Sequence, residues 1–225
     1  MAPADRERLI IEAATRFFAE YGLQAGTLEL ARRIGITQPL LYNYFPTKAA
    51  LIERVYAELF PADWSRHWEQ LLDDAALPPA ERITRFYVEF SAQMFTYEHV
   101  RLFLFSGLAK HDFNRRYYAR LTDRMFTRIA RLLRQDCGHG DPAAPVSEAE
   151  LELVQSLHAA IYHIAFRRWV HTPTLKQDVP TTIESKVEFF LNGARATMRE
   201  QQVPPAGDAA RPARRRAAGR AASSA

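Results

Sequence analysis

Two helical patterns meet at a glycine between Thr27 and Leu51, in the stretch TLELARRIGITQPLLYNYFPTKAAL. A run this short cannot bury both patterns unless the chain turns sharply at Gly35, where a left-handed backbone is cheap only for glycine. Before the turn, Leu28, Ala31 and Ile34 are read as facing a core, and Ala31 is small enough for two helices to cross closely. Thr27 is read as the N-cap of this helix, its hydroxyl accepting from the free amides of the first turn. After the turn, Ile36 plugs the joint and Thr37 caps the next helix. Pro39 falls in the first turn of that helix, where a missing amide hydrogen costs nothing. Leu41 and Phe45, four apart, point inward.

This is a helix–turn–helix, in which the second helix is the one that enters a DNA groove. Its outward positions are Gln38, Pro39, Tyr42 and Asn43. A glutamine amide pairs with adenine, and a proline or tyrosine ring touches a thymine methyl. Thr37 at the helix N-terminus, Tyr44 and Lys48 suit phosphate contacts, as does Arg33 on the preceding helix. Between Leu30 and Lys48 there are three basic residues and no acid. Buried packing of Tyr42 and Tyr44 is the alternative reading from pattern alone.

The residues of this stretch resemble the TetR family of transcriptional regulators. The likeness lies in the threonine opening the second helix, Ala31, Gly35, Thr37, Leu41–Tyr42, Tyr44–Phe45, Lys48 and Leu51, over about residues 8–55. Pro39 departs from the pattern, since glycine or alanine is commoner there. The resemblance implies an N-terminal DNA-binding domain over 1–50, an effector-binding and dimerisation domain over 51–203, and a fourth helix linking the two. It also implies that Tyr42, Tyr44 and Lys48 contact DNA.

The rest of the chain reads as helical, for an all-α fold of about nine helices with no strand alternation. Asp5 to Tyr21 forms the first, with Leu9, Ala13, Phe17 and Phe18 at helical spacing before Gly22. Thr47 caps a helix to about Leu59. Further helices are expected over about 81–97, 99–109, 112–135, 147–170 and 181–199. Ser147 with Glu150 has the form of a capping box. The stretch from Leu71 to Arg82 reads as a linker and restart. After Val203 the composition turns to Ala, Pro, Arg and Ser, which cannot build a core, so 204–225 is expected to be a disordered basic tail. That tail carries five arginines and one aspartate, equal to the whole net charge of +4. Global charge is therefore no argument for a nucleic-acid partner, and the local geometry of the head has to carry it.

Specific operators need two heads on successive turns of the duplex, about 34 Å apart. A homodimer through the last two long helices is expected, on a palindromic double-stranded operator. Leu153, Leu157, Ala160, Ile161, Ile164 and Ala165 in one helix, with Ile183, Val187, Phe190, Leu191 and Ala194 in the other, supply the apolar and small residues. The same residues serve equally as core. Between head and interface, the family likeness implies an effector pocket. Tyr87, Phe90, Met94, Phe103, Tyr117, Leu121, His158, Tyr162 and Phe166 are the candidate lining, suited to a hydrophobic or aromatic small molecule. The arginines from Arg115 to Arg134 recur three to five apart, the spacing of a solvated face, with one or two expected to turn inward.

No enzyme emerges. There is no Gly-rich phosphate loop after a strand. His158 and His163 are five apart, on different helical faces, and Cys137 beside His139 lacks a third partner. No catalytic residue, metal or cofactor is assigned. A single cysteine precludes an intrachain disulfide framework. The N-terminus is neither a signal peptide nor a membrane span, so cytoplasm is the default and no membrane contact is expected. The reading is a repressor released by a small effector. An activator, a constitutive DNA binder of the same fold, and a helical interaction protein that ignores DNA are the alternatives.

Overall fold

The computed structural model describes residues 2–61, 63, 65–109, 111–138, 141, 143–171 and 177–202, the side chains of 197–202 excepted. The tail expected at 204–225, and His139 beside Cys137, lie outside them. The described residues are all helical or in connecting turns. Helix α1 spans Pro3–Tyr21, α2 Thr27–Arg33, α3 Gln38–Tyr44 and α4 Lys48–Leu59. The body holds α5 Arg66–Asp73, α6 Pro79–Met94, α7 Tyr97–Leu108, α8 Phe113–Leu121, α9 Thr127–Cys137, α10 Glu148–Phe166 and α11 Val179–Gln202.

In α1 the buried stripe is Ile10, Ile11, Ala14, Phe17 and Phe18. Leu9, expected on that face, is 49% exposed. The doubled apolar pairs at 10–11 and 17–18 set the helix rotation and push Leu9 outward. Gly22 ends α1 at φ +82°, its amide donating to the Phe18 carbonyl at 2.9 Å. A similar one-residue shift governs α2. Thr27, Leu30 and Ala31 are the buried residues, and Leu28 is 46% exposed. Positions i, i+3 and i+4 share a helix face, and i+1 falls about a hundred degrees away.

The linker read at Leu71 to Arg82 hides the end of a helix. Helix α5 has only eight residues, and it packs Trp68 and Leu72 into the body. Its few apolar residues leave no period to detect, so about nine helices become ten when α8 and α9 are counted as one. Those two are a single rod interrupted by a π-helical turn, Thr122–Phe126. The Thr127 hydroxyl donates to the Thr122 carbonyl at 3.0 Å, bracing that turn. A second π-helical turn, Arg167–His171, follows α10. The capping box at the start of α10 forms as expected: the Ser147 hydroxyl accepts from the Glu150 amide, and Glu150 accepts from the Ser147 amide.

Helix α6 lies at the centre of the body, packed by α11, α5 and α9. Ile83, Phe86, Tyr87 and Phe90 of α6 are buried against this surround. The arginines of α8 and α9 are not a merely solvated face. Arg124 pairs with Glu69 of α5 at 3.0 Å, Arg128 with Asp73 at 3.0 Å, and Arg116 reaches Glu53 of α4 at 3.0 Å. Each is a half-exposed tie between helices, whose net worth is small singly. Arg134 alone of this series turns inward. It pairs with Glu150 and donates to the carbonyls of Asp141, Ala144 and Pro145. It holds the loop before α10, so it is a structural arginine and not a ligand's counter-ion.

Candidate nucleic-acid interface

The turn between α2 and α3 has the geometry its sequence demands. Gly35 takes φ +71°, and the Ile36 amide donates back to the Ala31 carbonyl at 3.0 Å. The Thr37 side chain caps α3 by accepting from the Leu40 amide at 3.3 Å. Pro39 sits in the first turn. Leu30, Ala31, Leu41 and Phe45 are buried and fix α3 against α2 and α1. Thr47 caps α4 from the Ala50 amide at 3.0 Å.

With Leu41 and Phe45 turned in, the opposite flank of α3 faces out. Pro39, Tyr42 and Asn43 are exposed, while Gln38, Tyr44 and Lys48 are half-buried. Thr27 is placed differently from its expected role. Gly26 occupies the N-cap, and Thr27 is the first residue of α2, with no cap bond from its side chain. Starting the helix one residue earlier carries the Thr27 hydroxyl away from the first-turn amides and toward α3. There it accepts from the Gln38 amide group at 3.0 Å and lies 3.0 Å from the Tyr42 hydroxyl. One buried hydroxyl thus orients two outward side chains. Gln38 keeps its carbonyl oxygen and a second amide hydrogen for another partner.

The basic groups are held by packing as well as charge. Arg33 donates to Glu29 at 3.1 Å, and its guanidinium lies 4.4 Å from the Tyr21 ring centroid. The bond to Glu29, then that to Tyr21, hold Arg33 above the usual arginine range. The Lys48 ammonium is 6.0 Å from the Phe18 ring, and partial burial lowers its pKa. Sequence reasoning missed the ties behind the head. Arg101 of α7 donates to the Ala19 and Glu20 carbonyls at the end of α1. The Tyr56 hydroxyl of α4 donates to the Leu102 carbonyl at 3.1 Å. Glu53 of α4 is gripped by Arg116, with His111 3.5 Å away. No local motif marks such long-range partners.

Residues 10–55 match the family model described as bacterial regulatory proteins, tetR family. The head is thus similar to that of the TetR family, whose fold the chain shares. Among solved structures, the TetR-family regulator PfmR from Thermus thermophilus superposes with a TM-score of 0.60 at 19% identity, covering 81% of this chain and 97% of that one. AmtR from Mycobacterium smegmatis gives 0.60 at 20%, covering 87% and 94%. A TetR-family regulator from Mesorhizobium loti gives 0.58 at 16%, covering 88% and 98%. At these identities the likeness is one of fold. Among curated proteins, the transcriptional repressor KstR2 of Mycolicibacterium smegmatis is 28% identical over 109 residues, 48% of this chain. The uncharacterised regulator YhgD of Bacillus subtilis is 29% identical over 75 residues, 33% of this chain. The matched stretch spans about half the length of KstR2, 52%, and 37% of YhgD.

In this TetR-type body the expected effector lining divides in two. Phe90, Met94, Phe103, Tyr117, His158 and Tyr162 line one cavity together with Phe60, the C-cap of α4. The rings pack on one another, however, and leave about 20 Å³, the room of a single water. A roomier space beside it is a cleft of about 490 Å³ along α10, lined by Tyr118, Phe126, Glu152, His158, Tyr162 and Phe166 among others. Tyr87 and Leu121 are buried and line neither. Tyr118, an aromatic of the same region, lines the cleft, and so do Phe126 and Glu152, which sequence does not mark because the composition of one helix does not tell which neighbour it faces.

Among the described residues no three His, Cys, Asp or Glu side chains come together to hold a metal. No described helix is long and apolar enough to cross a membrane.

Proposed function

We propose that this chain is a homodimeric, sequence-specific DNA-binding regulator that represses transcription until a small molecule enters its body. Residues 1–50 form the DNA-binding unit and 51–203 the effector-binding and dimerising unit. The carrying observation is the outward flank of α3. Gln38, Pro39, Tyr42 and Asn43 project from a helix fixed in a helix–turn–helix. In such a motif these positions read base edges. Thr37, Tyr44, Lys48 and Arg33 border the flank and are assigned to phosphates. Thr27 is assigned the orienting role, through Gln38 and Tyr42. The repressor reading draws support from the similarity to KstR2, itself named a repressor.

Dimerisation rests on the outer faces of α10 and α11. Most of the residues expected at the interface, including Leu157, Ile161, Ile183, Val187 and Leu191, are buried within the chain itself. Of the expected residues Leu153, at 42%, and Ala160 are left exposed, and Phe189, which the sequence does not mark, is 83% exposed. Leu153 and Phe189 are the large apolar side chains that these two helices leave free to meet a partner.

The signal path follows from what α4 touches. Its C-cap Phe60 lies 4.7 Å from Phe113 and 5.1 Å from Tyr117, and Phe60 and Tyr117 both line the small cavity. A ligand that moves these rings moves α4, and α4 carries the head. About 3 kcal/mol of coupling reduces DNA affinity roughly a hundredfold.

The test is an electrophoretic shift of DNA from upstream of the chain's own gene against shuffled DNA of equal composition. Preferential retardation of the upstream fragment, reversed by a compound that raises the protein's melting temperature, is expected. Equal retardation of both fragments would remove sequence-specific regulation as the function.

A further inference from the structure

We propose that the α10 cleft and the small cavity behind it form one site for an uncharged ring compound bearing a hydroxyl group, not for a carboxylate or an amine. This rests on the effector-responsive reading above and supplies the chemical class of the effector.

The two spaces share a wall. Tyr118, His158 and Tyr162 line both the 490 Å³ cleft and the 20 Å³ cavity. Ligand sites run from about 300 to 1,000 Å³ and are mostly apolar, so the cleft has the size and its aromatic walls the character. Swinging Tyr118 and Tyr162 joins the two and carries a guest toward Phe60. Tyr118 is already 39% exposed, so its movement displaces little packing.

Unpaired polar atoms mark where the guest's own polar group goes. His158 is 6% exposed and its Nδ1 has no hydrogen-bond partner among the described residues, nor has the buried Tyr162 hydroxyl. Buried polar atoms are nearly always paired, so these two on one cavity wall suit a guest that both donates and accepts. A hydroxyl supplies both at once and satisfies His158 in either tautomer.

Charge argues against ions of either sign. Among the described residues no Lys or Arg lines the cleft or the cavity, and the exposed carboxylate of Glu152 borders the cleft. An anion therefore meets a like charge and no counter-ion. A cation has to leave water for a setting that already discourages one, since burial pushes His158 down to about 4. The local backbone points to the same place. Both π-helical turns abut the cleft: Phe126 closes one, and Phe166 immediately precedes the other. Such turns are inserted often at functional sites.

The experiment is a calorimetric and thermal-shift titration of the full chain, free of DNA, with four bicyclic probes: 2-naphthol, naphthalene, 2-naphthoate and 2-naphthylmethylammonium. 2-Naphthol is expected to bind at least about tenfold more tightly than either ion. Tyr162→Phe is expected to weaken 2-naphthol about fivefold and leave naphthalene unchanged. His158→Phe provides a second variant with the same expectation. Equal or tighter binding of 2-naphthoate or the ammonium, binding of none of the four, or indifference of both variants to the hydroxyl would overturn the proposal. Because no DNA is present, the regulatory reading fails or stands separately: a chain that binds 2-naphthol and ignores its upstream DNA loses only the latter.

Discussion

At the residue scale, four side chains of the head are preset by a neighbour. Thr27 orients Gln38 and Tyr42, Phe18 backs Lys48, and Tyr21 backs Arg33. Preset side chains lose less rotamer freedom when they meet DNA. Lys48, assigned to a phosphate, should act on all sequences alike. Lys48→Ala is expected to weaken binding to any duplex and to lower the slope of log affinity against log salt by about one unit. Anisotropy titrations at several salt concentrations measure this, and a change confined to base preference would move Lys48 into the reading set. The outward flank of α3 was legible from sequence because Leu41 and Phe45 fix the helix rotation by themselves. The orienting role of Thr27 was not, since it depends on where α2 begins, and a one-residue shift at a helix end leaves no trace in the apolar pattern.

At the element scale, glycine and burial set two measurable costs. Gly35 holds φ +71°, and a Cβ there would meet nothing within 4 Å. The cost of Gly35→Ala is therefore backbone strain alone, about 1–2 kcal/mol, with no clash to add. Urea unfolding reads it; a variant as stable as the parent would show that the turn relaxes. Burial of His158 in α10 acts through pH. Its folded pKa, pushed down to about 4 by burial, lies below the ordinary histidine value of 6.5. Between these values the unfolded chain binds the extra proton, so stability falls as pH drops from about 6.5 toward 4. The full loss at the bottom of the window is about 3 kcal/mol. His158→Phe should flatten that part of the urea-stability profile, and an unchanged slope would place the titration elsewhere. Glu150, held at about 2 chiefly by Arg134, loses its contribution only at lower pH, as the solution passes below the ordinary carboxylate range. Long helices such as α6 and α10 were readable from their periods. Helix α5 and the two π-helical turns were not, because eight residues give too few repeats and one inserted residue barely alters a stripe.

For the whole molecule, the arrangement of bodies decides whether two heads can share one duplex. Sequence names α10 and α11 as the pairing helices, and of the residues it marks there Leu153 and Ala160 are exposed, whereas Leu157, Ile161, Ile183, Val187 and Leu191 are buried within the chain itself. What remains for a partner is the weaker outer pattern around Leu153 and Phe189, and only three-dimensional packing separates the two sets. Phe189→Glu is expected to shift the chain from dimer to monomer in sedimentation equilibrium without lowering its helix content. Its affinity for a full operator should fall far more than that of Lys48→Ala, since a single head loses the partner's contribution to the same site.

Hydroxyl-radical footprinting of the upstream fragment brings the head, its twin and the duplex into one experiment. Two protected patches on one side of the DNA, their centres one helical turn or a whole multiple apart, are expected for paired α3 helices in successive major grooves. Uniform cleavage at protein concentrations that retard the fragment, or a solitary patch, would contradict a twin-headed reader of DNA.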